Sequence, residues 1–125
     1  MPDYKAPLRD IKFLMDEVLD SETHYQNIGA EDASPDMVEA IVAEGAKFCE
    51  EVLAPINQSG DQEGCTWSED GVKTPAGFKE AYQQFVEGGW PAMNAPVEHG
   101  GQGLPESINI VLSELIGTAN WSWGM

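Results

Sequence analysis

The feature that most constrains this chain is a capped amphipathic segment that ends at Leu53. It opens with Ser34, Pro35 and Asp36. These supply a side chain that can cap free N–H groups, a residue that needs no N–H, and an acid at the positive end of the helix dipole. Apolar residues then recur at spacings of three and four, and Pro55 ends or kinks the helix. The pattern predicts an α-helix that buries one face against the rest of the protein.

The same apolar spacing predicts three further helices, over residues 8–19, 75–87 and from 105 onward. Thr74 repeats the capping device before Pro75, and Gly88 with Gly89 ends that helix, because glycine adopts the left-handed conformation without a Cβ penalty. The last helix is apolar on most sides, so it should lie at the centre of its domain or be covered by another domain. The stripe expected to be buried on the helix over 75–87 consists of Phe78, Tyr82, Phe85 and Val86.

Between these helices the sequence predicts connectors. Residues 20–33 and 57–70 lack a sustained apolar period and contain glycine and polar residues. Residues 66–67 and 72–73 could pair as a short hairpin, although a lone hairpin is marginally stable. The predicted fold class is therefore all-α, a helical bundle with about four main helices.

Charge excludes several classes of partner. The chain has 22 acidic and six basic residues, a formal net charge of −16. Such a surface repels phosphate backbones and anionic lipid, so we expect neither nucleic acid nor a membrane surface as a partner. No apolar run approaches the ~20 residues that span a bilayer, and the first residues lack the apolar stretch of a secretory signal. We therefore expect a cytoplasmic protein.

The cysteines and histidines predict no metal or redox site. Cys49 and Cys65 are too few and too far apart for a zinc knuckle or a redox pair, and a disulfide is disfavoured in a reducing compartment. Cys49 falls on the apolar face of the main helix, where free cysteine is usually a small buried hydrophobe. His24 and His99 have no partner at ligand spacing.

Residues 96–105, PVEHGGQGLP, form the most informative motif. Free N–H groups in a glycine-rich loop before a helix can bind a phosphate. However, no buried strand precedes this loop, its spacing is not that of a nucleotide fingerprint, and Glu98 would repel an anion. The other interpretation is a tight turn between two helices that depends on its glycines.

Taken whole, this stretch resembles the acyl-CoA dehydrogenase family. There a Trp-Pro stretch is followed by Pro-x-Glu-(Tyr/His)-Gly-Gly-x-Gly and then by a helix with a Glu-Leu pair. In this chain Trp-Pro occupies residues 90–91, the glycine motif occupies 96–103, and Glu114 precedes Leu115. The opening residues 4–10, YKAPLRD, resemble the short N-terminal extension of a branch that acts on long-chain and methylthiopropanoyl thioesters.

The resemblance implies a three-part enzyme with a helical N-terminal domain, a central β domain and a helical C-terminal domain. It implies FAD as cofactor, an acyl-CoA substrate, a glutamate base, an electron-transferring flavoprotein as partner, and a homo-oligomer. On this interpretation residues 1–33 are an extension with the first helix, and 34–125 are the N-terminal domain, cut off before the β domain. The base and the FAD-binding segment would lie beyond residue 125, so we expect no catalytic, cofactor-binding or metal-ligating residue in this chain.

The candidate site residues are therefore those that could border the far end of an acyl pocket. The resemblance assigns this role to Ile110, Glu114, Trp121 and Trp123. The alternative is that they are helix-end and domain-contact residues, since the aromatic residues at 121 and 123 also fit a surface meant to be covered.

Two other functions compete with this interpretation. The first is a standalone helical protein-interaction module, which predicts a polar, capped C-terminus, whereas the chain ends in WSWGM. The second is an acyl-CoA oxidase, with the same architecture but oxygen as electron acceptor. The sequence of this region does not distinguish dehydrogenase from oxidase, and it does not fix the length of the acyl chain.

Overall fold

The computed structural model describes residues 3–125. Two short strands, β1 (Thr66–Ser68) and β2 (Gly71–Lys73), pair as an antiparallel hairpin. The all-α prediction is confirmed, and no helix within the described residues is long and apolar enough to cross a membrane. The helices are α1 (Leu8–Phe13), α2 (Ser21–Asn27), α3 (Pro35–Phe48), α4 (Asn57–Glu63), α5 (Phe78–Glu87), α6 (Glu106–Ala119) and α7 (Trp121–Gly124).

The main predicted helix is α3, and its start and direction are confirmed. Ser34 Oγ accepts a hydrogen bond from the N–H of Met37 at 3.3 Å, so the serine caps the helix as expected. The helix continues as a wider π turn over Cys49–Leu53 before it reaches Pro55. Its buried positions include Val38, Val42, Gly45, Cys49 and Leu53, whereas Met37, the first apolar residue of the helix, is exposed.

The helix predicted over residues 8–19 is α1 followed by a π turn over Leu14–Val18. Ile11 and Met15 are buried in the core, while the outer apolar residues of the broad stripe are exposed. The connector predicted for residues 20–33 is wrong in part, because it contains α2. That helix is fixed by one buried side chain, Tyr25, whose hydroxyl shares a hydrogen bond of 2.6 Å with Ser107. Because Tyr25 is the buried residue of this helix, the sequence shows no repeated apolar spacing from which α2 could be predicted.

The segment before α1 is held against the π turn that follows α3. Glu50 accepts hydrogen bonds from the Lys5 ammonium at 2.8 Å and from the Ala6 N–H at 2.9 Å. The Lys5 contact and, after it, the Ala6 N–H lower the pKa of the Glu50 carboxyl. Tyr4 reaches further and shares a hydrogen bond of 2.8 Å with Thr118 of α6. Residues 4–6 are thereby joined to the main helices.

The loop predicted over residues 57–70 is also wrong in its first half, which forms α4. This helix is polar, and its buried residue is a glycine. Gly60 is buried so close to Phe78 that a Cβ at residue 60 would lie 2.5 Å from the ring. In the second half, the hairpin considered from the sequence does form, with Trp67 opposite Val72.

The helix predicted over 75–87 begins later than expected, at Phe78, so the cap assigned to Thr74 is wrong. Gly77, in the left-handed conformation, precedes the helix instead. On the predicted stripe, Phe78 is buried and Phe85 is half-buried, but Tyr82 and Val86 are exposed. The expected stop at Gly88–Gly89 is confirmed by the left-handed conformation of Gly89.

The fourth predicted helix is α6, which lies at the centre of the fold. Ile108, Leu112 and Leu115 are almost fully buried, and Leu112 lies against Gly45 of α3. A Cβ at residue 45 would lie 2.9 Å from the Leu112 Cδ1 atom, so the glycine allows these two helices to approach closely. The helix is less completely covered on its outer side than expected, because the apolar Ile110 is 60% exposed.

Asn120 is the buried polar residue of the core, with 1% of its surface exposed. Its Nδ2 donates to the Leu53 carbonyl at 3.1 Å, and its Oδ1 accepts from the Trp123 N–H at 3.1 Å. One amide thus satisfies the carbonyl at the end of the π turn and caps α7. Because a buried amide that makes two hydrogen bonds to the backbone cannot be replaced without losing both, this side chain should contribute strongly to stability.

We expect Asn120→Ala to lower the free energy of unfolding by about 1–3 kcal/mol, through the lost bond to the Leu53 carbonyl and the lost cap of α7. Chemical denaturation at neutral pH measures this. The matched control is Asn109→Ala, which removes an exposed bond to Glu106 and should cost no more than about 0.5 kcal/mol. Equal losses in the two variants would contradict the central role of the buried amide.

Asn120→Asp separates the two bonds of this residue. The carboxylate can still cap α7, but it cannot donate to the Leu53 carbonyl, so the variant should also be destabilised at neutral pH. A protonated carboxyl can do both, so folding should raise the pKa of this acid. The difference in the free energy of unfolding between this variant and the parent chain should then become smaller as pH falls through that raised pKa.

Candidate functional site

A groove of about 770 Å³ opens between α5, α6 and α7. It is the feature that most resembles a binding site, because aromatic side chains dominate its walls. We call it the aromatic groove. Fourteen residues line it, among them Phe78, Tyr82, Phe85, Ser113, Trp121 and Trp123.

Trp123 is the fixed part of the groove. Its indole Nε1 donates to the Phe78 carbonyl at 3.1 Å, and its ring meets the Phe85 ring edge-to-face with centroids 5.5 Å apart. The Phe48 ring of α3 lies on it at 6.0 Å, also edge-to-face. Since Asn120 holds the backbone at the same residue, the ring has little freedom, and it links the groove to the core.

Trp121 and Tyr82 form the outer walls. Trp121 is 66% exposed, yet its ring lies on the backbone of Gly117, where a Cβ would be 3.1 Å from Cε3. Tyr82 is 58% exposed and faces the same groove from α5. Large aromatic surface is thus held in place while it faces solvent, which is unusual for residues without a partner.

The four residues predicted to border an acyl pocket separate into two pairs. Trp121 and Trp123 lie together in the aromatic groove. Ile110 and Glu114 lie one turn apart on α6, are exposed, and do not line the groove. Their role as pocket residues stays a prediction. Sequence reasoning missed Tyr82 as a groove residue, because its place in an apolar stripe indicated a buried side chain.

The glycine-rich loop is a tight turn. The backbone N–H groups of residues 101–104 donate to carbonyls of residues 92–96 at 2.9–3.0 Å, so they are already used by the turn. Gly101 lies so close to Ala95 that a Cβ would be 2.0 Å from its carbonyl oxygen. These donors are not free to bind a phosphate, so the structure does not support the phosphate interpretation. It supports the interpretation as a tight turn that depends on its glycines.

The start of α6 is also occupied. Glu106, in its first turn, accepts hydrogen bonds from the Asn109 and Asn94 amides. These bonds, the Asn109 one first, lower the pKa of the Glu106 carboxyl and keep it ionised. A carboxylate at the positive end of the helix competes with any anionic ligand there.

The two thiols lie in different environments, and both are free. Cys49 is the first residue of the π turn and is fully buried, and burial, with a smaller effect of the nearby Glu50 charge, raises the pKa of its thiol to about 12. Cys65 is exposed at the edge of the aromatic groove. Across residues 3–125, no three His, Cys, Asp or Glu side chains come together as a possible metal site.

We expect only Cys65 to react with a thiol reagent at about pH 8 in the folded chain, because the thiolate is the reactive form and Cys49 is both buried and protonated. A chromogenic disulfide reagent would count one thiol per folded chain and two after denaturation. Cys65→Ser should leave the folded chain unreactive. Rapid labelling of a second thiol without denaturant would show that the π turn opens.

Comparison with known proteins gives two relatives. The chain is 35% identical over 127 residues to 3-methylmercaptopropionyl-CoA dehydrogenase of Ruegeria pomeroyi, which covers 98% of this chain and 21% of that protein. It is 33% identical over 95 residues to butyryl-CoA dehydrogenase of Syntrophomonas wolfei, covering 69% of this chain and 15% of that protein. The chain therefore spans about a fifth or less of these relatives. No protein-family model matches it.

Proposed function

Since the homologues of this chain are acyl-CoA dehydrogenases, we propose that it is the N-terminal helical domain of a longer flavin-dependent acyl-CoA dehydrogenase. The observation that carries the proposal is the 35% identity over 98% of this chain with a protein about five times as long. The glycine turn that carries the resemblance is also intact as a structural element. Residues 1–33 would be the extension, and 34–125 the domain proper.

The enzyme would remove two hydrogens from the α and β carbons of an acyl-CoA, and its electrons would pass to an electron-transferring flavoprotein. It would be a cytoplasmic homo-oligomer that acts in fatty-acid β-oxidation or a similar pathway. FAD, when bound, supplies the hydride acceptor. The residues of this chain do not fit the flavin nucleotide, because the N–H groups of the glycine turn are used and Glu106 occupies the helix start. FAD and the base would be provided by the rest of the enzyme.

This domain would help to shape the acyl pocket. The aromatic groove supports this role because it offers apolar surface, with Trp121 and Trp123, on the side where α6 ends. Ile110 and Glu114 would contribute from the exposed side of the same helix. A thioester tail that lies against such surface loses water contact, which favours binding by roughly 0.8 kcal/mol for each buried CH₂.

The test uses the longer gene product that contains this chain. We expect purified protein to carry stoichiometric flavin and to lose its flavin absorbance when an acyl-CoA is added without oxygen. An artificial electron acceptor should then sustain turnover in air. Rapid oxygen consumption with peroxide formation would identify an oxidase instead, and a colourless protein without turnover would favour the interaction module.

In that enzyme, we expect Trp121→Ala to raise the KM of the longest acyl-CoA substrates about tenfold, which corresponds to roughly 1.4 kcal/mol. Short acyl-CoA substrates should be unaffected, because their tails would not reach the groove. Steady-state kinetics across a chain-length series measures this. Trp67→Ala, which removes an exposed tryptophan on the hairpin, is the control. A uniform loss of kcat across all chain lengths would contradict a pocket role.

The 125-residue chain alone should not bind FAD, because no described residue fits its nucleotide. A preparation incubated with FAD and desalted should be colourless, and its flavin fluorescence should match that of buffer. Retained stoichiometric flavin would show that this domain holds the cofactor by itself.

A further inference from the structure

The segment that precedes α1 is attached to the rest of the fold at few points. Residues 4–6, which we call the strap, lie in no helix or strand. Within the described residues, their one backbone-to-backbone hydrogen bond is local, from the Leu8 N–H to the Ala6 carbonyl at 2.9 Å. Every hydrogen bond from the strap to α6 or to the π turn after α3 therefore involves at least one side chain.

One carboxylate makes most of this attachment. Glu50 Oε2 accepts from the Lys5 ammonium at 2.8 Å, and its Oε1 accepts from the Ala6 N–H at 2.9 Å. The Lys5 side chain is 75% exposed, and an ion pair that faces water contributes little to stability. The other attachment is the Tyr4 hydroxyl, which shares a hydrogen bond of 2.8 Å with Thr118. A segment with so few bonds can open at a lower free energy than the rest of the fold.

The helix that follows the strap has an attachment of its own. Ile11 of α1 is buried in the core, and the Lys12 ammonium lies 2.7 Å from a carboxylate oxygen of Glu39 on α3. Pro7 stands between the strap and α1. Because α1 is held to α3 independently of Glu50, release of the strap does not require α1 to leave the core.

We propose that the strap is a detachable segment held closed by Glu50, and that it opens as one unit while the helices stay folded. When closed, it forms part of the wall of a cleft of about 720 Å³ that Asn57, Gln58 and Thr118 also line. Opening would expose the Glu50 carboxylate to solvent and free Thr118 of its Tyr4 partner, so that both could bind another group. The proposal concerns this fold and does not depend on the proposed enzyme activity.

Limited trypsin digestion of the 125-residue chain tests the proposal, because trypsin cleaves after lysine and must take Lys5 out of its bond to Glu50. When opening and closing are fast relative to cleavage, the cleavage rate reports the population of the open form. Mass spectrometry should show cleavage after Lys5 well before cleavage after Lys12, which lies within α1. Equal rates at the two sites would show that the strap opens only together with α1 and would overturn the proposal.

A matched pair of acids on the π turn tests the role of Glu50. Glu50→Ala and Glu51→Ala remove the same charge at adjacent positions, but in the described part of the chain only Glu50 hydrogen-bonds to the strap. Glu50→Ala should speed cleavage after Lys5 about tenfold, because two charge-assisted hydrogen bonds are lost. Glu51→Ala should leave that rate unchanged, and cleavage after Lys12 should be the same in both variants. Equal effects of the two variants after Lys5, or no effect of Glu50→Ala, would contradict the proposal.

Two milder variants separate release of the strap from damage to the π turn, and thermal melts followed by circular dichroism verify that every variant folds. Glu50→Gln retains one acceptor oxygen, so it should speed cleavage after Lys5 less than Glu50→Ala does. Tyr4→Phe removes the hydroxyl that bonds Thr118 and leaves the bonds of Glu50 in place. It should nevertheless speed cleavage at the neighbouring Lys5 several-fold if the strap opens as one unit. An unchanged rate in Tyr4→Phe would mean that the two attachments open separately, and the proposal would fail.

Discussion

The structure depends on the buried amide of Asn120. It lies where three backbone segments meet, namely the end of α6, the start of α7 and the π turn after α3. The amide donates to the Leu53 carbonyl and caps the next helix, and each hydrogen bond to the backbone contributes about 0.5–1.5 kcal/mol. An apolar residue of the same size could fill the space, but it could not satisfy either backbone group.

This junction determines the candidate site. Because Asn120 fixes the direction of α7, Trp123 is directed into the core beside Phe85 and Phe48, and Trp121 is left on the outer wall. The aromatic groove is therefore a consequence of how α6 ends. The close approach of α3 and α6 at Gly45 has the complementary effect, since it brings Phe48 near enough to support the floor of the groove.

The groove also connects the fold to the proposed function. In a longer enzyme its apolar surface would be available to a substrate tail and to the neighbouring domain. The physical basis is that exposed aromatic surface is favourable to cover, because covering it removes apolar area from water.

The sequence by itself determined the all-α class, the capped start of α3, the stop at Gly88–Gly89 and the family relationship. These follow from local rules, since caps, prolines, glycines and apolar spacing act within a few residues of themselves. The glycine motif could be recognised as a pattern, and its turn geometry is local too. Trp121 and Trp123 were identified as one cluster for the same reason, because they are two residues apart.

Tertiary structure alone decided the rest. The helices α2 and α4 have no apolar period, and they are held by distant contacts such as Tyr25 with Ser107 and Gly60 with Phe78. Tyr82 has the spacing of a buried residue but faces the groove, because α7 does not cover that side of α5. Such outcomes depend on which surfaces meet across many residues of sequence, and a local pattern contains no information about that.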